Sequence, residues 1–137
     1  MKKILCCVFA LAAVAALTLL GIVIFAADEG KYRLLDDTSF ERETAGKLAF
    51  VDFFADWCEP CVEFEPIFAE ASRQVREGFF VKVDIDASKK TSEQFGVELI
   101  PYIVAVRDGK IVSEYRGDRT VENYTAWCRE ELKRHGN

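Results

Sequence analysis

Two cysteines three positions apart, in Phe54-Ala55-Asp56-Trp57-Cys58-Glu59-Pro60-Cys61, constrain this chain more than any other feature. They follow the apolar run Leu48 to Phe53 and open a helical pattern that begins near Cys58. At that spacing two side chains share a face only if the segment is helical, and a disulfide can then open and close between them with little backbone movement. A cysteine at a helix N-terminus faces unpaired backbone N–H groups and the positive end of the helix dipole, which favours thiolate over thiol. Cys58 therefore reads as the nucleophile and Cys61 as the resolving thiol. Half of a zinc site is the alternative. It requires two further Cys or His ligands, and the rest of the chain offers only Cys6, Cys7, Cys128 and His135. No cofactor is implied beyond the redox-active Cys58–Cys61 pair itself.

Half of the 137 residues are hydrophobic, enough for one domain to pack a core without disulfide staples. The net charge is −5, and because residues 1–27 contribute only Lys2 and Lys3, residues 28–137 carry −7. That balance argues against nucleic acid as a partner. Met1-Lys2-Lys3 followed by the uncharged run Ile4 to Ala27 is a membrane-targeting signal. As a helix those 24 residues would extend about 36 Å, enough to span a bilayer and longer than a usual signal core. An uncleaved anchor is favoured over a cleaved signal, for which Ala26-Ala27 offers small residues but Ile24 and Phe25 do not. The basic start and the acids Asp28 and Glu29 after the run place the N-terminus in the cytoplasm and residues 28–137 outside it. Cys6 and Cys7 read as apolar filler within this run, with lipidation the weaker alternative.

Past the leader, Lys31 to Leu35 is a short first strand, and Asp36-Asp37-Thr38-Ser39 supplies caps for a helix near Phe40 to Thr44. Leu48 to Phe54 reads as a central strand covered on both faces, carrying one acid, Asp52, that needs a reason. The helix from Cys58 has an apolar stripe of Val62, Phe64, Ile67, Phe68, Ala71 and Val75, with a kink expected at Pro66. Phe79 to Ile85 alternates as a strand, and a short helix at Thr91 to Phe95 ends at Gly96. Ile100 to Val106 and Lys110 to Tyr115 form a hairpin about Asp108-Gly109, so the sheet is mixed. Thr120 caps a last helix whose stripe is Val121, Tyr124, Cys128 and Leu132, which makes Cys128 a core residue.

Taken together, Val51-Asp52-Phe53-Phe54-Ala55-Asp56-Trp57-Cys58-Glu59-Pro60-Cys61, Pro66, Lys82-Val83-Asp84-Ile85-Asp86, Phe95-Gly96-Val97, Ile100-Pro101-Tyr102, Asp108-Gly109 and Gly117 resemble the thioredoxin family over residues 31 to 134. The resemblance implies an α/β thioredoxin fold, a mixed sheet of about five strands flanked by about four helices. It implies that Pro101 is cis and faces the Cys58–Cys61 pair, and that the backbone at Ile100 pairs with a substrate strand. Trp57, Glu59, Pro60 and Gly117 would complete that binding surface. It also gives Asp52 a role beneath Cys61, with a raised pKa from desolvation, as acceptor of the Cys61 proton, and it makes Lys82 the partner of that acid.

At the subtype level, Trp-Cys-Glu-Pro-Cys behind an N-terminal anchor looks like the extracytoplasmic thioredoxin-like reductases of cytochrome c maturation, although the extra segment those proteins carry is absent. Ala55-Asp56-Trp57 and Glu63-Phe64-Glu65 are similar to the C-terminal domain of transmembrane thiol-disulfide electron carriers. The expectation is an enzyme, an extracytoplasmic reductase of protein disulfides that draws electrons from a membrane donor. A membrane-tethered binding module for client thiols or peptides, and a disulfide oxidase or isomerase, are the alternatives.

Overall fold

The computed structural model describes residues 31–136. Five strands form one sheet in the order β1-β3-β2-β4-β5: β1 Tyr32–Leu34, β2 Leu48–Phe54, β3 Phe79–Asp84, β4 Tyr102–Arg107 and β5 Lys110–Glu114. β1 and β2 run parallel to β3, whereas β4 lies antiparallel to β2 and β5 antiparallel to β4. Four helices complete the α/β fold: α1 Phe40–Thr44, α2 Glu59–Gln74, α3 Lys89–Gln94 and α4 Val121–His135. Residues 1–27, read above as an anchor or signal, lie outside the described residues. Among the described residues no helix is long and apolar enough to cross a membrane.

The near-continuous apolar run of β2 follows from burial on both faces. Phe50 packs with Phe64, Phe68 and Ala71 of α2, with Val75 just after it, and with Tyr124 and Cys128 of α4. Val51 and Phe53 point the other way, to Phe40 and Phe95 beside α1 and α3. Side chains alternate along a strand, so Asp52 takes the same face as Phe50 and lies under α2. Its Cα partner on β3 is Lys82.

Several element bounds differ from the sequence expectation for physical reasons. β4 starts at Tyr102 and not Ile100, because Pro101 has no N–H to contribute to the ladder. α3 starts at Lys89, earlier than Thr91: Asp37, distant in sequence, accepts the Lys90 and Thr91 amides at 3.2 and 2.8 Å and caps the helix from outside. Val62 does not join the stripe of α2. It is 61% exposed, and Cys61 occupies the inward position a turn ahead of Phe64 and Phe68. Pro66 lies within α2, which continues through it to Gln74. Asp108 and Gly109 both have positive φ, at 50° and 73°, the pair of values a two-residue hairpin turn between Arg107 and Lys110 requires. Thr120 caps α4 as its sequence suggests, accepting from the Asn123 amide at 3.2 Å.

Candidate active site

β2 ends at Phe54, the chain turns through Ala55-Asp56-Trp57, and α2 begins, so the dithiol sits where a central strand delivers the chain to a helix N-terminus. Cys58 is the N-cap: its backbone is extended, its carbonyl accepts the Cys61 and Val62 amides, and its Sγ accepts the Cys61 N–H at 3.3 Å. The sulfur thus occupies the place a Ser or Asp oxygen usually takes, and a thiolate there meets the helix dipole and a backbone donor together. Glu59 and Pro60 fill the first turn, where the missing proline N–H costs no intrahelical bond. Cys58 and Cys61 form a disulfide with Cα atoms 5.2 Å apart. Both are buried, Cys58 at 5% exposure and Cys61 at 2%.

Ala55 and the two cysteines form a small apolar cluster against which Phe54, Ile85 and Ile100 pack. The Ile100–Pro101 peptide is cis, as the resemblance implied. Ile100 and Pro101 are both half-buried, and of the two Ile100 packs against this cluster. Trp57 is 70% exposed, yet its indole is held by Nε1–H donating to Asp86 Oδ2 at 2.7 Å. Gly117, in the exposed loop after β5, lies against the Tyr115 ring, whose hydroxyl a Cβ there would meet at 2.9 Å.

Under the first turn of α2, Asp52 is fully buried, and desolvation raises its pKa from 3.8 to about 6 against the opposing attraction of Lys82. The Lys82 ammonium is 3.7 Å from Asp52, an ion-pair distance beyond hydrogen bonding. Neither Asp52 oxygen has a hydrogen-bond partner among the described residues. Lys82 itself is pushed down, first by burial, with Asp52 acting in the opposite sense. Its ammonium also lies 4.2 Å from the centre of the Phe54 ring. A recess of about 130 Å³ connects this layer to the dithiol, lined by Phe54, Ala55, Asp56, Cys61, Val62, Glu65 and Lys82. Its walls are largely apolar, with Asp56, Glu65 and Lys82 supplying the charged groups, and it has room for water beside Cys61.

A thioredoxin family profile matches residues 31–130. The chain belongs to the thioredoxin family. It is 36% identical over 85 residues to a thioredoxin of Chlamydia muridarum, covering 62% of this chain and 83% of that one. It is 32% identical over 99 residues to a thioredoxin H-type of Oryza sativa subsp. indica, covering 72% of this chain and 79% of that one. Among solved structures, the J-Trx1 fragment of ERdj5 superposes with a TM-score of 0.71 over 77% of this chain, at 23% identity, a likeness of fold. Human ERp44 form I superposes at 0.68 with 28% identity over 74% of this chain. This chain spans about half of the first structure and under a third of the second, at 51% and 29%. With the family and the Cys58–Cys61 disulfide in place, the protein is a thioredoxin-like disulfide oxidoreductase.

Three neighbours of this thioredoxin site did not emerge from the sequence as functional residues: Glu65, which touches Lys82; Tyr32, which donates to Glu65; and Asp86, which anchors Trp57. Glu65 had a legible signal. It lies four residues after Cys61 on a helix and therefore on the same face.

Proposed function

We propose that this protein is an extracytoplasmic thiol-disulfide reductase, tethered by residues 4–27 and supplied with electrons by a membrane carrier. The Cys58 thiolate attacks a substrate disulfide, forming a Cys58–substrate disulfide and releasing one substrate thiolate. Cys61 then gives up its proton, attacks Cys58 Sγ, closes the Cys58–Cys61 bond and releases the second substrate thiolate. Two electrons pass from the dithiol to the substrate. Asp52 receives the Cys61 proton, and Lys82 moderates its charge. Trp57, Glu59, Pro60, Ile100, Pro101 and Gly117 form the surface on which an extended substrate segment lies.

The observation that supports reduction is the charge around Cys58. Glu59 follows it directly, Asp56 and Glu63 flank the same turn, and all three side chains are exposed. The lysine of the site, by contrast, is already engaged by Glu65 and Asp52. Acids beside a thiol oppose its ionisation, so the reduced state gains less from a thiolate and the pair gives up electrons more readily. The test is a glutathione redox titration combined with trapping by Cys61→Ser in intact cells. A potential near that of reducing thioredoxins, with exported disulfide proteins captured on Cys58, is the expected result. A strongly oxidising potential would favour the oxidase reading, and no captured client together with no insulin reduction would favour a binding module.

A further inference from the structure

The Lys82 ammonium meets two carboxylates, and the mechanism above assigns a role to one. Glu65, a turn beyond Cys61 on α2, contacts Lys82 Nζ directly through Oε2. Its Oε1 accepts a hydrogen bond from the Tyr32 hydroxyl at 2.5 Å, so β1 holds the carboxylate in place from the sheet edge. Asp52 stands 3.7 Å from the same ammonium, with no hydrogen bond to either oxygen. The Glu65 side chain is 37% exposed and keeps part of its hydration, while Asp52 is wholly enclosed. The partly hydrated carboxylate therefore competes with Asp52 for the shared cation.

We propose that Glu65 is a positioning residue of the redox reaction: fixed by Tyr32, it holds the Lys82 ammonium short of Asp52 and leaves the buried carboxyl available to take the Cys61 proton. Were Lys82 to close on Asp52, the carboxylate would be neutralised by a direct ion pair and become a weaker base. The other ionisable groups turned toward this pair are Asp56 before α2, Arg119 before α4 and the Tyr124 phenol on α4. Burial keeps the Tyr124 phenol neutral. The proposal rests on Asp52 serving Cys61, and it does not depend on which way electrons flow in the cell.

The test uses Glu65→Gln and Tyr32→Phe, the second keeping the ring that packs edge-on against Phe68. Asp52 is titrated in each oxidised protein by NMR of its side-chain carboxyl carbon, and mixed-disulfide resolution is followed by stopped flow across pH. Glu65→Gln should lower the Asp52 midpoint by about one pH unit, and Tyr32→Phe should lower it by less. The midpoint of the resolution profile should move with it. In an Asp52→Asn background Glu65→Gln should leave that profile unchanged, a coupling that a merely structural role would not produce. An Asp52 midpoint unmoved or raised in both variants would overturn the assignment of Glu65 while leaving the redox reading intact. A lowered midpoint with an unaltered resolution profile would overturn Asp52 as the base, and the function given to Glu65 with it.

Discussion

Asp52→Asn should make this protein more stable and a poorer catalyst, and its size can be worked from the site. Burial raises the folded-state pKa of Asp52 from 3.8 to about 6, so between those values the folded state holds a proton that the unfolded chain has lost. Stability therefore falls as pH rises through that window. A difference of roughly two pH units corresponds to about 3 kcal/mol, fully expressed above pH 7 and absent only below about pH 3. Asparagine matches the protonated acid in shape and cannot ionise. Lys82 is not orphaned by the change, because Glu65 still contacts it. The variant should exceed wild type by only about 0.5 kcal/mol near pH 4 and by about 3 kcal/mol at pH 8, raising Tm there by roughly 10 °C or more. Urea unfolding of both oxidised proteins from pH 4 to 8 measures this. Every other titrating group is common to the two, so the difference isolates Asp52. A stability difference that is flat with pH would refute the reasoning, as would a variant less stable than wild type at pH 8. In the same variant, resolution of the mixed disulfide should slow by about 10²-fold or more while its formation is little changed.

Glu59→Gln removes a negative charge next to Cys58 and should raise the reduction potential by no more than ~30 mV, because the exposed side chain is screened; an equal or lower potential in a glutathione titration would instead point to Glu59 as a partner contact. In the reduced protein Cys58 should alkylate much faster than Cys61 near neutral pH, and Cys128 should not react before unfolding, since burial pushes its thiol far up; mass-spectrometric labelling kinetics read all three. Phe68→Ala should cost about 3–5 kcal/mol in urea unfolding, because Phe68 is fully buried and touches the rings of Tyr32, Phe64, Phe80 and Tyr124; a cost under ~1 kcal/mol would mean that this layer does not carry the core.

What could be read from the sequence was local or periodic. The order of strands and helices, the hairpin at Asp108-Gly109, the Thr120 cap and the Cys58 helix start all follow from neighbours within a few residues, where backbone preference and side-chain spacing decide the outcome. The single acid in the apolar run of β2 announced a special residue, because an enclosed carboxylate is too costly to be accidental. Periodicity alone misplaced Val62, which shares the helix with the core stripe but faces solvent once α2 settles on the sheet. The rest depended on contacts between distant segments. Parallel pairing of β2 with β3 sets Lys82 beside Asp52, the packing of α2 over that face brings Glu65 to the same ammonium, and β1 at the sheet edge supplies Tyr32. The Asp37 cap on α3 and the Asp86 anchor for Trp57 likewise join residues 54 and 29 positions apart. One sequence thus specified two thiols and a buried acid, but how the charges around them are shared was decided only when strand register and helix docking put three elements around one lysine.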